Sequence, residues 1–272
     1  MVAMPDGRRL CFAEWGSLDG IPILSMHGTP GCRLLDARRI ERRFENLVAG
    51  LGIRLITYDR PGYGRSDRQR GRKVSDTSGD VAAIAEALEV ERFAVVGGSS
   101  GSAHALAVAA LLPQRVLRVA GVAPMAPYDR LGSEEWSRGQ VDGVRQYVAA
   151  CLQGEETAAG EIAQEDAEMR KAAELDANKA DVTEQTRNGV WGWVDDELAV
   201  LSSWGFDCRD VGVRTALWYD PDEKVLPDQH SRWLAEAIPN ATLVTTNALG
   251  HGSAGDPKPD WNRLYKWLVD GS

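Results

Sequence analysis

The stretch that most constrains the fold runs from Arg92 to Ala107. A valine-rich run stops at Gly97 and Gly98, a serine and a third glycine follow, and an alanine-rich segment then begins. This order predicts a strand, a sharp turn and a helix, with Ser99 at the turn. Gly97-Gly98-Ser99-Ser100-Gly101 fits the pattern G-x-S-x-G, in which a strained turn presents a serine hydroxyl while glycines let strand and helix pack closely.

Two serines in this pattern compete for the role of nucleophile. Ser100 also carries a hydroxyl, but the position two residues after it holds Ser102 and not glycine. The glycine spacing therefore favours Ser99. The N-terminus of the following helix would also favour the negative charge that develops in acyl transfer.

Composition limits the classes of partner. The chain has 272 residues and a net charge of −9, which argues against nucleic acid and against an anionic membrane surface. No apolar run reaches the length of a membrane span, and the N-terminus lacks the pattern of a signal peptide. The cysteines form no C-x-x-C pair, so we expect free thiols in a reducing compartment and a cytoplasmic protein. The four cysteines are Cys11, Cys32, Cys151 and Cys208.

Apolar runs alternate with helical segments through most of the chain, which predicts an α/β protein with a mostly parallel central sheet flanked by helices. An antiparallel edge hairpin is expected near the N-terminus and a helix over 34–49. The alternation stops after Pro124 and resumes near residue 211. We therefore expect a core made of residues 1–124 and 211–272 and a helical insertion, or cap, at 125–210.

A serine nucleophile needs a base, and the chain offers four histidines. His251 lies in a glycine-flanked loop after the last predicted strand, from which a base can reach the carboxyl edge of the sheet. His104 lies on the helix after Ser99 and is assigned to helix packing. His230 lies on a predicted surface helix and is assigned a structural role, and His27 belongs to a glycine-rich loop.

An acid must orient the base, and Asp220 and Asp222 both follow the penultimate predicted strand. Asp220 precedes Pro221, which restricts its backbone to extended conformations, so Asp222 is preferred as the acid. The resulting order of serine, aspartate and histidine is the order found in α/β-hydrolases.

An oxyanion hole needs two backbone N–H groups. One is expected from Ser100. The other is expected from the loop that starts at His27, where Pro30 has no N–H and Thr29 is the natural donor. His27 and Gly28 would then shape the loop.

Taken together, these motifs resemble the α/β-hydrolase superfamily, in the branch that includes proline iminopeptidases, epoxide hydrolases, esterases and cofactor-free haloperoxidases. The resemblance covers about residues 8–124 and 211–269, and it implies that the insertion is a cap over the site. Two departures are Ser102, where the family usually has glycine, and an acid loop without the common tyrosine-glycine start. The motifs are His27-Gly28-Thr29-Pro30-Gly31, Asp59-Arg60-Pro61-Gly62-Tyr63-Gly64-Arg65-Ser66, Gly97-Gly98-Ser99-Ser100-Gly101 and Gly250-His251-Gly252.

The expected function is hydrolysis of a small, largely apolar carboxylic ester, with no cofactor and no metal. Ser99 would attack, His251 would transfer the proton, Asp222 would orient His251, and the Thr29 and Ser100 amides would hold the oxyanion. Alternatives are an aminopeptidase of the proline iminopeptidase type, a perhydrolase or haloperoxidase side activity, and a ligand-binding module with an idle triad. The expected partner is a small-molecule substrate, and the sequence leaves monomer and homodimer open.

Overall fold

A computed structural model describes residues 1–34, 50–173, 179–246 and 261–272, with side chains from Lys179 to Asp181 not described. Seven strands form one sheet in the order β3-β5-β4-β6-β7-β8-β9, in which β3 runs antiparallel to β5 and all other neighbours are parallel. This architecture confirms the predicted fold class. The strands are β1 (Val2–Ala3), β2 (Arg9–Leu10), β3 (Phe12–Gly16), β4 (Ile21–Met26), β5 (Ile53–Tyr58), β6 (Phe93–Gly98), β7 (Val116–Val122), β8 (Thr215–Tyr219) and β9 (Ala241–Thr245).

The N-terminal hairpin differs in one detail from the expected edge hairpin. Strands β1 and β2 pair antiparallel as a separate two-stranded sheet, and β3 alone forms the antiparallel edge of the large sheet. Cys11 separates β2 from β3, and its N–H donates to the Ser66 hydroxyl at 2.9 Å instead of continuing one ladder. The predicted helix over 34–49 lies outside the described residues except for Leu34.

The sheet separates two apolar cores. Because successive side chains of a strand point to opposite faces, Leu24 and Ile56 enter one core, while their neighbours Ile23 and Leu55 enter the other. These four side chains are fully buried. Burial on both faces explains why the strands are near-continuous apolar runs.

The described helices cover the sheet and fill the interval between β7 and β8. That interval spans the predicted insertion, and its described residues form helices and no strand. The division of the chain into a core and a cap stays a prediction. No described helix is long and apolar enough to cross a membrane. The helices are α1 (Thr77–Ala87), α2 (Gly101–Leu111), α3 (Tyr128–Leu131), α4 (Ser133–Ser137), α5 (Asp142–Cys151), α6 (Glu155–Ala173), α7 (Lys179–Gln185), α8 (Trp191–Val200), α9 (Gln229–Ala237) and α10 (Trp261–Asp270).

Candidate active site

Ser99 occupies the turn between β6 and α2 with a φ of +53°, in the left-handed region that costs a non-glycine residue free energy. Its N–H donates to the carbonyl of Val122 at 2.9 Å, which ties the turn to the neighbouring strand. A Cβ at Gly97 would overlap the backbone of Gly101, and a Cβ at Gly101 would overlap the backbone of Met26. The two glycines therefore permit the close approach of strand and helix that the G-x-S-x-G pattern predicts.

Ser99 opens into a cavity of about 500 Å³, a size typical of small-molecule sites. The wall combines residues of the loop after β4, of the turn after β6, of the predicted insertion and of the loop after β8. No lysine or arginine belongs to the wall as far as the described residues define it. The lining includes Thr29, Ser99 and Ser100, the apolar or aromatic Met125, Trp136, Val144, Tyr147, Val148, Trp193, Val225 and Leu226, and the acidic Glu161, Glu165, Glu168 and Glu197.

Thr29 and Ser100, the predicted oxyanion donors, lie together at this cavity. The hydroxyl oxygens of Thr29 and Ser100 are 2.6 Å apart. The carbonyl of Gly28 accepts from the Arg60 guanidinium at 3.3 Å and from the His27 ring at 2.7 Å. In a trans peptide the N–H points opposite to the C=O, so these bonds turn the Thr29 N–H away from Arg60.

Asp196 of α8 lies at the centre of a buried polar network that the sequence motifs did not predict. Its side chain is 0 % exposed and pairs with Arg60 and with Arg72, the latter at 2.8 Å. It also accepts from His104 at 3.1 Å and from the Thr29 hydroxyl at 2.5 Å. Burial alone would raise the pKa of this carboxyl, but the Arg60 and Arg72 charges hold the pKa well below its ordinary value.

Helix α8 is held against the core by close backbone contact as well as by charge. A Cβ at Gly62 would lie 2.6 Å from Cα of Gly192, and one at Gly192 would overlap the Gly62 carbonyl group. Arg68 pairs with Asp195 at 2.6 Å and stacks on the exposed ring of Trp191. The two glycines allow the N-terminal turn of α8 to lie directly on the loop after β5.

The three described histidines are all neutral, and their rings form hydrogen bonds within the protein. Burial, followed by the charge of Arg60, lowers the pKa of His27 well below its ordinary value and lowers that of His104 to about 4. His230 is fully buried, and its ring accepts from the Ala126 N–H and donates to the Trp136 carbonyl. These contacts agree with the structural role assigned to His230, because α9 turns its ring towards Ala126 and Trp136.

The predicted base, His251, lies outside the described residues, so its distance from Ser99 is not defined. The three described histidines do not line the cavity, which leaves His251 as the remaining candidate among the four in the sequence. Its role as the base stays a prediction.

The loop after β8 carries four carboxylates, Asp220, Asp222, Glu223 and Asp228, and reaches the cavity through Val225 and Leu226. Asp222, the predicted acid, is exposed, and its N–H donates to the half-buried carboxylate of Asp220 at 2.9 Å. Glu223 is 6 % exposed and accepts from the N–H groups of Lys224 and Val225 at 2.9 and 2.7 Å. Glu223 is therefore the most buried carboxylate of this loop.

Glu197 presents a second unusual carboxyl group, one residue after Asp196. Burial, together with the negative charge of Asp196, raises the pKa of Glu197 to about 8. Adjacent residues of α8 therefore face different surroundings, with Asp196 ionised among arginines and Glu197 protonated at neutral pH at the cavity wall. On α6, burial and the charges of Glu161 and Glu168 raise the pKa of Glu165.

Sequence reasoning missed Asp196, Glu197 and Glu223 for a common reason. Each lies in an acidic segment typical of a solvated surface, and its burial depends on residues far away in the chain. The available signal was a weak one: Trp193-Val194-Asp195-Asp196-Glu197-Leu198 places acids among apolar residues, which is unusual for a solvated helix face.

Comparison with known proteins agrees with this architecture. The sequence model of the alpha/beta hydrolase fold family matches residues 21–256. The chain is 33% identical over 128 residues to a non-heme chloroperoxidase from Streptomyces lividans, covering 46% of this chain and 45% of that protein. It is 33% identical over 119 residues to a proline iminopeptidase from Xylella fastidiosa, covering 42% and 36%. The chain thus spans less than half the length of both relatives.

Two longer alignments extend over the insertion. A 2-hydroxy-6-oxo-6-phenylhexa-2,4-dienoate hydrolase from Comamonas testosteroni is 24% identical over 234 residues, which cover 78% of this chain and 76% of that protein. The solved structure of an esterase from Exiguobacterium antarcticum superposes with a TM-score of 0.71 at 18% identity, covering 98% of both chains. With the strained serine turn, the parallel sheet and the match over residues 21–256, the chain belongs to the α/β-hydrolase fold family of enzymes.

Proposed function

We propose that this protein hydrolyses small, largely apolar carboxylic esters through an acyl-enzyme on Ser99. The observation that carries the proposal is a serine at φ +53° that opens into a cavity of about 500 Å³ beside Thr29 and Ser100. Geometry of this kind exposes a hydroxyl to a substrate and offers amide groups next to it.

In the proposed reaction, Ser99 Oγ bonds to the acyl carbon while His251 accepts its proton. The carbonyl electrons move to the oxygen, which the Thr29 and Ser100 amides stabilise. Collapse of this intermediate breaks the ester C–O bond, and His251 returns the proton to the departing alcohol. Water, deprotonated by His251, then releases the acid and regenerates Ser99.

The substrate class follows from the cavity wall. Met125, Trp136, Val148 and Leu226 provide apolar surface at the cavity, which supports an acyl or alcohol group without charge. The volume is suited to a compact substrate rather than to a polymer. Fold alone does not select the substrate, so the proposal rests on these side chains.

For the orienting acid, the loop after β8 offers Asp222, the prediction from sequence, together with Asp220 and Glu223. An exposed carboxylate is well hydrated and gains little by orienting a histidine. Burial and two backbone N–H donors instead support Glu223, and glutamate is an accepted third member of such triads. We therefore propose Glu223 ahead of Asp222 and Asp220.

The first experiment measures turnover of p-nitrophenyl esters of graded acyl length, with prolyl naphthylamide in parallel. Ser99→Ala should reduce ester hydrolysis to a residual rate, whereas Ser100→Ala should keep most of it because Ser100 contributes an amide. A labelled fluorophosphonate should modify Ser99. An adduct on Ser100, or faster turnover of the prolyl amide than of every ester, would contradict the proposal, as would binding without turnover.

The second experiment assigns the acid with three matched variants. Glu223→Gln should lower kcat by about 10³-fold to 10⁴-fold by removing the charge that holds the histidine tautomer. Asp220→Asn and Asp222→Asn should each be mild. If Asp222→Asn alone causes the large loss, the original sequence prediction is correct and burial is the wrong criterion for this loop.

A further inference from the structure

The buried network around Asp196 joins the predicted insertion to the loop after β4 that carries Thr29. Asp196 lies on α8, whereas Thr29 follows β4 and is 167 positions earlier in the chain. Their side chains meet at 2.5 Å. A carboxylate that only stabilised the insertion would need no contact with this loop, so the contact calls for a more specific explanation.

Hydrogen-bond donors and acceptors fix the direction of a short chain of bonds. The Thr29 hydroxyl has one proton, which it donates to Asp196, so the same oxygen accepts from the Ser100 hydroxyl at 2.6 Å. The chain therefore runs from Ser100 through Thr29 to the Asp196 carboxylate. A charged acceptor at its end makes the final bond stronger than a bond between neutral groups.

This chain connects both residues expected to form the oxyanion hole. The Gly28–Thr29 peptide plane sets the direction of the Thr29 N–H, and the bond from the Thr29 hydroxyl to Asp196 fixes the side chain next to that plane. Arg60 adds a second restraint, because it binds Asp196 together with the carbonyl groups of His27 and Gly28. Asp196 thus holds Thr29 directly through its hydroxyl and indirectly through Arg60.

We propose that Asp196 is a positioning residue for the oxyanion hole, through which the docking of α8 sets the orientation of the Thr29 N–H. This inference rests on the proposed function, because it gives that N–H a catalytic role. It assigns to the insertion a part in transition-state stabilisation in addition to any contact with substrate. Asp196 itself does not touch the reacting atoms.

The test compares Asp196→Asn with Asp195→Asn, which changes the neighbouring carboxylate of α8 that pairs with Arg68 instead of Arg60 and Arg72. Loss of an oxyanion donor costs about 10²-fold to 10³-fold in kcat, so Asp196→Asn should lower kcat by about 10²-fold with KM changed less than about threefold. Asp195→Asn should keep the wild-type kcat. Equal effects of the two variants would overturn the inference.

Asp196→Asn leaves two buried arginines without full compensation and could prevent folding. Thr29→Val therefore provides a second route, because it removes the hydroxyl, with its bond from Arg60 at 3.3 Å, while keeping the N–H and the ion pairs of Arg60 and Arg72 with Asp196. It should lower kcat about tenfold at constant KM, and Thr29→Ser should recover most of that loss. If Thr29→Val changes only the melting temperature, the inference is wrong.

A double-mutant cycle separates positioning from general destabilisation. If Asp196 acts partly through the Thr29 hydroxyl, Asp196→Asn should cost only about tenfold in kcat when Thr29→Val is already present, because the route through Arg60 remains. Independent losses that multiply would contradict the inference. Failure of the proposed function looks different, since wild-type protein would then show no ester turnover or Ser99→Ala would retain it.

Discussion

The protonation state of Glu197 provides a quantitative prediction, because its side chain is 9 % exposed and its pKa is raised to about 8. The ordinary value is 4.5. Between these two values the folded protein keeps a proton that the unfolded chain has released. Stability of the wild-type protein therefore receives a contribution from this group that is present below pH 4.5 and is lost as the pH rises to about 8.

The magnitude follows from the size of the shift. One pKa unit corresponds to about 1.4 kcal/mol, so a rise from 4.5 to about 8 corresponds to up to roughly 5 kcal/mol. Glu197→Gln replaces the protonated carboxyl by a neutral amide of the same shape, which does not titrate. Between pH 4.5 and about 8, the unfolding free energy of the variant should rise relative to that of the wild type by about 1.4 kcal/mol per pH unit. Above pH 8 the difference between the two proteins should stay constant.

The assay is urea unfolding followed by tryptophan fluorescence at pH 5, 6, 7, 8 and 9 for both proteins. All other titrating groups are shared, including Asp80, whose pKa is raised to about 6 by burial, so they cancel in the difference. A stability difference that stays constant from pH 5 to pH 9 would refute the reasoning. It would show that Glu197 is ionised when folded, or that water reaches it.

Two further predictions concern substrate selection. Trp193→Phe should change the acyl-length preference by about tenfold in kcat/KM, because this ring is buried at the cavity wall. Trp191→Ala removes an exposed ring outside the lining and should leave the preference unchanged. Esters of graded acyl length measure the preference, and equal effects of the two variants would contradict the prediction. A p-nitrophenyl ester with a terminal carboxylate should show kcat/KM at least about fivefold below that of a neutral ester of equal length, because Glu161, Glu165 and Glu168 line the cavity without a compensating cation among the described residues. Added salt and Glu165→Gln should both narrow the gap, and a gap that responds to neither would rule out an electrostatic origin.

Sequence patterns predicted the sheet well because its signals are local. Continuous apolar runs such as Ile53–Tyr58 and Phe93–Gly98 became buried parallel strands, and the glycines around Ser99 marked a turn whose φ proved positive. The prediction of free thiols was confirmed for Cys11, Cys151 and Cys208, and all four cysteines are buried. These features depend on short-range sterics and on burial of whole segments.

The features that sequence did not predict depend on contacts between distant residues. His230 is buried because its ring meets the carbonyl of Trp136, which is 94 positions away. Asp196 is ionised in the interior because Arg60 and Arg72 converge on it. In each case the residue type fits a solvated surface equally well, and the three-dimensional arrangement decides.

The backbone contact between Gly62 and Gly192 has a consequence for engineering. A donor segment grafted in place of residues 125–210 would fit only if its corresponding helix also presented a glycine opposite Gly62, since a Cβ on either side has no free space. A segment with alanine there would lie farther from the core, and an aspartate at the position of Asp196 would then be too far from Arg60 to pair with it. Exchange of this region between relatives is thus limited more by the close approach of Gly62 and Gly192 than by the identity of the side chains that line the cavity.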